Sequence, residues 1–247
     1  MPLSTLVVSS WSFDFEMVGP TGTFLTSLDS TPDNGLIGGG NSVFRIDPST
    51  GMTTDLLTED VGDIGAVAVD PISGNIFAIL GIAEPQSLVA FDAVTGMLVG
   101  PAVAIQGPNG SAINGIDFTP TGELIVSAGG LFEYDVSGLD PFNPPDDPLM
   151  GVELNGSSDL LQTLGATELG DIDISEIGGE LVLTGVTSGA GSATAFRVGL
   201  GDLSGDVTAE SGLGPVFGLA VIIPSPAPAG VLTASMWWAG RRRRRDR

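Results

Sequence analysis

The sequence predicts an all-β, propeller-like fold of about five blades, with closure between the N- and C-terminal strands; a β-sandwich is the alternative use of the same strands. Three observations lead there. Five apolar segments read alike, Phe24–Asp29, Ile64–Asp70, Ile113–Phe118, Leu169–Ile174 and Val216–Val221, and their starts lie 40, 49, 56 and 47 residues apart. The first four are followed by a second apolar run opened by Gly (Gly35–Ile37, Gly74–Ile79, Gly122–Val126, Gly179–Leu183) and then by a third (Val43–Asp47, Leu88–Asp92, Leu131–Asp135, Thr194–Val198). The runs are short, rich in β-branched residues and bounded by Gly, Pro and Asp, which marks strands rather than helices. Three or four antiparallel strands per 40–56 residues is the size of one propeller blade.

The turns between runs have their own chemistry. In Asp47-Pro-Ser-Thr-Gly51, Asp70-Pro-Ile-Ser-Gly74 and Asp92-Ala-Val-Thr-Gly96 the carboxylate can accept N–H groups of its own turn, and the Gly supplies the positive φ that closes it. Recurrence at equivalent positions is what a turn device predicts, so these aspartates read as structural. The strand, Asp-turn, strand motif resembles the repeats of secreted bacterial propeller proteins over roughly residues 12–222. The last segment, Val216–Val221, has no apolar run after it, while Leu6–Val8 and Phe13–Val18 precede the first. Pairing Val216–Val221 with Phe13–Val18 would close the ring and leave no open edge.

Composition bounds the chemistry. Gly (37) and Pro (17) make up about 22% of 247 residues, yet 42% of the chain is hydrophobic and the mean hydropathy is +0.34, enough apolar material for a core. Cysteine and histidine are absent. This removes thiol and imidazole nucleophilic chemistry, imidazole or thiolate metal sites and disulfides. Only carboxylate, hydroxyl and Arg chemistry is left, and the expectation is a protein without catalytic activity, with a carboxylate-dependent glycan hydrolase as a minority alternative. The net charge is −22, but residues 1–240 hold 29 acids against Arg45 and Arg197, a net of −27 with no lysine. Such a body repels phosphate backbones, so nucleic acid is not an expected partner.

Two stretches depart from the repeat. Leu139–Glu168 carries Asp140, Pro141, Pro144, Pro145, Asp146, Asp147 and Pro148 and is expected to be a long surface loop, because proline cannot join a central ladder. Asp202, Ser204, Asp206 and Glu210 place oxygen side chains at alternate positions of a loop that resembles a degenerate dockerin-type calcium loop. It lacks the usual Gly (Val207 stands there) and the closing Glu (Leu213 stands there). Calcium is accordingly the sole cofactor considered, and a ligand- or calcium-binding propeller is an alternative function.

The chain divides into residues 1–222, the repeat domain, and residues 223–247, a tail. The tail runs from Pro224-Ser225-Pro226 through a 14-residue apolar stretch, Ala227–Gly240, to Arg241, Arg242, Arg243, Arg244 and Arg245. This order resembles the PEP-CTERM family of sorting tails, with Pro-Ser-Pro in place of Pro-Glu-Pro and an apolar stretch shorter than the about 20 residues of a full span. The resemblance implies export to the cell envelope or surface, processing by an exosortase-type enzyme, membrane contact through the tail with the arginines cytoplasmic, and a structural or interaction role among extracellular polysaccharide. Residues 1–44 contain no basic side chain to open a signal peptide, so an upstream start that encodes one is expected.

Overall fold

A computed structural model describes the strands at residues 12–18, 23–28, 42–46 and 53–55, and residues 64–81, 85–137, 139, 145–187 and 193–211. Among the described residues the fold is all-β apart from one helix and one 3-10 turn, and they form four mainly antiparallel sheets that follow one another along the chain.

Sheet 1 has the order β1 (Ser12–Val18), β2 (Thr23–Leu28), β3 (Ser42–Ile46), β4 (Thr53–Asp55). Sheet 2 contains β5 (Ile64–Val69), β6 (Ile76–Leu80), β7 (Gln86–Phe91) and β8 (Val103–Gln106). Sheet 3 begins with β9 (Gly115–Phe118), β10 (Leu124–Ser127) and β11 (Leu131–Tyr134). Sheet 4 is β14 (Leu169–Ile177), β15 (Glu180–Thr187), β16 (Thr194–Gly199) and β17 (Thr208–Ser211). The leading strands β5, β9 and β14 are neighbours in that sequence, and β1 lies against β5 and also reaches β14, a propeller-like arrangement.

Three of the predicted units therefore appear with their strands in the expected order. The first does not. Phe24–Asp29 falls on the second strand of its sheet, and Phe13–Val18 lies in β1, which heads that sheet in antiparallel register with β2 (Met17 opposite Phe24). The local reason is visible in Ser-Phe-Asp-Phe-Glu-Met-Val, whose polar and apolar residues alternate from Ser12 to Met17. Gly35–Ile37, the turn at Asp47 and Val216–Val221 lie outside the described residues.

The stretch 139–168 is not simply a surface loop. Its exposed residues 145–148 lead into β12 (Leu149–Met150), which adds to sheet 2 in parallel with β8, Leu149 opposite Ile105. After the single residue Gly151, β13 (Val152–Glu153) completes sheet 3 on β11, Phe132 opposite Glu153. The chain then forms α1 (Ser157–Leu164), with Asp159 in its first turn and Gly165 in the left-handed conformation at its end, the Gly165 N–H donating to the Leu161 and Gln162 carbonyls. Leu160, Leu161 and Leu164 lie on one face at helical spacing, and Leu160 is wholly buried with Leu169, Leu183 and Phe196. The insertion thus ties sheet 2 to sheet 3 and plugs the space beside sheet 4.

Two apolar clusters lie between sheets. Ile79, Leu88 and Ile105 of sheet 2 meet Ile116, Leu124 and Val126 of sheet 3, and Ile125 and Leu131 of sheet 3 meet Leu183 and Phe196 of sheet 4. Among the described residues no helix is long and apolar enough to cross a membrane.

Candidate functional site

Strands that head neighbouring sheets cannot share a ladder, so their inward backbone groups need other partners. Side chains supply them. Between sheets 2 and 3, Gln86 Nε2 donates to the carbonyls of Gly81 (2.8 Å) and Ile113 (3.1 Å), while its Oε1 accepts the Ile113 N–H (2.7 Å). One buried amide thereby satisfies both backbone groups of a residue 27 positions away.

Between sheets 3 and 4 several groups share the task. Asn114 Nδ2 donates to the Leu169 carbonyl (2.9 Å), and the Ser127 hydroxyl donates to the Gly170 carbonyl. The buried carboxylate of Asp117 accepts the Phe118 N–H (2.7 Å) and, across the seam, the Ile174 N–H. Asp171, also buried, accepts the Ile172 N–H (2.9 Å), and Asp173 accepts the Ser175 hydroxyl (2.8 Å). The approach is close enough that a Cβ on Gly115 would stand 2.8 Å from the Asp171 Cα, so only glycine fits there.

The turn acids behave as their spacing predicts. Asp70 accepts the N–H groups of Ile72 (2.9 Å) and Ser73 (3.1 Å) and the Ser73 hydroxyl (2.6 Å). Asp92 accepts those of Val94 (3.0 Å) and Thr95 (2.7 Å) and the Thr95 hydroxyl (2.9 Å), and Gly74 and Gly96 close these turns at φ 72° and 68°. The Thr95 N–H, then its hydroxyl and the Val94 N–H hold the Asp92 carboxyl below its ordinary range. The Ser137 hydroxyl and N–H do the same for Asp135, and the hydroxyls of Thr119 and Thr121 for Glu123.

The calcium-loop residues are placed apart in role. Ser204 donates its hydroxyl to the exposed Asp202 carboxylate (2.7 Å), the Gly205 N–H donates to the Asp202 carbonyl (3.1 Å), and Glu210 lies in β17 opposite Ala195. Asp206 is exposed between them. Among the described residues no group of three or more acidic side chains is arranged to hold a metal ion. The sorting-motif residues Pro224, Ser225, Pro226 and Arg241–Arg245 lie outside the described residues.

A cavity of about 210 Å³ opens between sheet 2 and the chain after β11. Phe77, Leu88 and Val103 form one apolar wall, Val136 and Leu139 another, and Ser73 and Asn75 bring a hydroxyl and an amide to its polar edge beside Asp70. It is smaller than the about 300–1,000 Å³ of most ligand pockets. Neither this cavity nor the seam residues were evident from spacing. The available signal was a polar residue inside an apolar leading strand, as in Gly-Ile-Asp117-Phe and Leu-Gly-Asp171-Ile-Asp173.

No family model matches the chain, and no curated protein matches it in sequence. Similar folds are found among solved structures. A chain of the nidogen/laminin complex matches with a TM-score of 0.51 at 13% identity, over 84% of this chain and 67% of that one. Regucalcin from Agrobacterium tumefaciens, a calcium-binding protein, matches at 0.42 and 17%, over 70% and 52%. A gluconolactonase from Xanthomonas campestris matches at 0.44 and 16%, over 68% and 52%. The chain spans about half the length of the latter two. The expectation of a protein without catalytic activity is corrected here: the solved structures of similar fold include a gluconolactonase, and the chain is not assigned as a non-enzyme.

Proposed function

We propose that the chain is an exported protein sorted to the cell envelope through residues 224–245, with the acidic β-sheet body acting there as an interaction module. The observation that carries this reading is the order Pro224-Ser225-Pro226, apolar stretch, Arg241–Arg245 at the end of a chain otherwise almost free of basic residues. A polybasic block directly after an apolar run is held on the cytoplasmic side of a membrane, and an exosortase-type enzyme would act on the segment before it. The body supports the reading in two ways. Its net charge of −27 over residues 1–240 favours a solvated surface setting, and its Asp-turn strands provide a rigid scaffold without disulfides. Extracellular polysaccharide is the proposed partner class, and the Phe77-walled cavity, lined also by Ser73 and Asn75, is the surface proposed to meet it.

The same proposal extends to the ring. Val216–Val221 would join Phe13–Val18 at the meeting of the chain ends, closing the ring as a further strand on the β1 edge of sheet 1 and not as a separate fifth unit; the contacts of β1 with both β5 and β14 are what support this. A cysteine pair across these two segments would cross-link if they are neighbours and stay reduced if they are not.

The sorting proposal is tested with the chain expressed from its natural start in its own host. Replacing Arg241–Arg245 with alanine should move the protein out of the envelope fraction, while the unaltered chain remains there. Equal distribution of the two would overturn the reading.

A further inference from the structure

Asparagine followed by glycine is the sequence most open to self-modification, because no Cβ shields the next backbone nitrogen. The chain has four such pairs, at Asn34, Asn109, Asn114 and Asn155, of which the last three are described. They occupy three different settings. Asn114 is half-buried, its amide donates to the Leu169 carbonyl (2.9 Å), and Gly115 is buried within β9. Asn109 is exposed with φ 56°, but the Gly110 N–H donates to the Gly107 carbonyl (3.2 Å). Asn155 is exposed in the turn between β13 and α1, and among the described residues neither its side chain nor the Gly156 N–H has a hydrogen-bond partner.

We propose that Asn155-Gly156 is a site of spontaneous amide loss, the reactive one of the three described pairs in the folded protein. The Gly156 nitrogen gives up its proton and bonds to Asn155 Cγ, the Cγ–Nδ2 bond breaks, and ammonia leaves. Water then opens the cyclic imide at either carbonyl, yielding aspartate or isoaspartate, with no oxidant or reductant involved. Either product adds a negative charge to an already acidic body. Isoaspartate also lengthens the backbone by one carbon immediately before Ser157, whose buried hydroxyl accepts the Leu131 N–H (2.8 Å) and fixes the start of α1 on sheet 3. The modification therefore acts on the junction that holds the insertion in place.

The test is peptide mapping of the full-length protein held at mildly alkaline pH, with and without denaturant. In the folded protein Asn155 should lose its amide about fivefold faster than Asn109, the rate equivalent of the net hydrogen bond at Gly110. Asn114 should stay intact over the same period. In denaturant the three sites should react at similar rates. An Asn155 rate no greater than that of Asn114 in the folded protein, or a rate order that persists in denaturant, would overturn the proposal. Asn155→Gln, which leaves Gly156 untouched, should remove the corresponding ammonia release; release that continues undiminished would also contradict it.

Discussion

The body and the tail use charge in opposite ways. In the body the acidic side chains seen at turns and seams are engaged by the protein's own N–H and hydroxyl groups: Asp70, Asp92 and Asp135 within their turns, Asp117 across a seam. In residues 241–247 six arginines stand together with Asp246 alone for an acid, after an apolar stretch. A carboxylate that accepts local N–H groups contributes to shape wherever the protein is; on the proposed reading the block of arginines beside an apolar run would act at a membrane. Under the proposed sorting function, fold and destination would be separable in this chain. Changes in the body should alter stability and leave sorting of the folded fraction intact, and changes in the tail should do the reverse.

The largest expected effect is at the seam between sheets 2 and 3. Gln86→Leu leaves the Ile113 N–H and C=O buried without their partner, at about 1–3 kcal/mol for each group, and urea unfolding of the body should show a midpoint lowered accordingly. Leu160→Ala opens a cavity where α1 meets Leu169 and Phe196 and should cost about 2–5 kcal/mol by the same measurement. Ser127→Ala removes one hydroxyl bond to Gly170 and should cost about 1 kcal/mol.

The repeat of units 2 to 4, the Gly-opened strands and the Asp turns could all be read from spacing, because each is local: Asp92 reaches only Val94 and Thr95. The seams could not. Gln86 finds Ile113 at a separation of 27 residues and Asp117 finds Ile174 at 57, and no periodicity encodes such pairs. The insertion departs from the expected surface loop for another reason. β12 and β13 are two residues each, too short to show alternation, and the prolines before them concealed an eight-residue helix held by tertiary burial of Leu160. The expected first unit failed because Phe24–Asp29 matches the other leading segments in composition, whereas the strand that heads its sheet, Ser12–Val18, alternates polar and apolar residues.

A smaller effect sharpens the account of the turn acids. Asp92, Asp135 and Glu123 are held below their ordinary pKa, so each contributes stability above the unfolded carboxyl value of about 4 that is lost as pH falls through the lower folded value. Asp92→Asn should lower Tm slightly at neutral pH and not at all once pH falls below the folded carboxyl value, flattening the acid limb of a Tm-against-pH curve; the effect is small because this carboxylate is exposed to solvent. A loss of Tm that is constant across pH would instead mean that turn geometry, and not charge, is what the carboxylate supplies. Tail variants such as Arg241–Arg245→Ala should not move the urea midpoint of the body at all.

The most direct test of the separation is the mass of the chain's C-terminus in protein recovered from the envelope of its own host. The account predicts material that has lost Arg241–Arg247 after processing, or intact material held in the membrane fraction by its tail. Intact, Arg-tailed protein found wholly in the cytoplasm would contradict it.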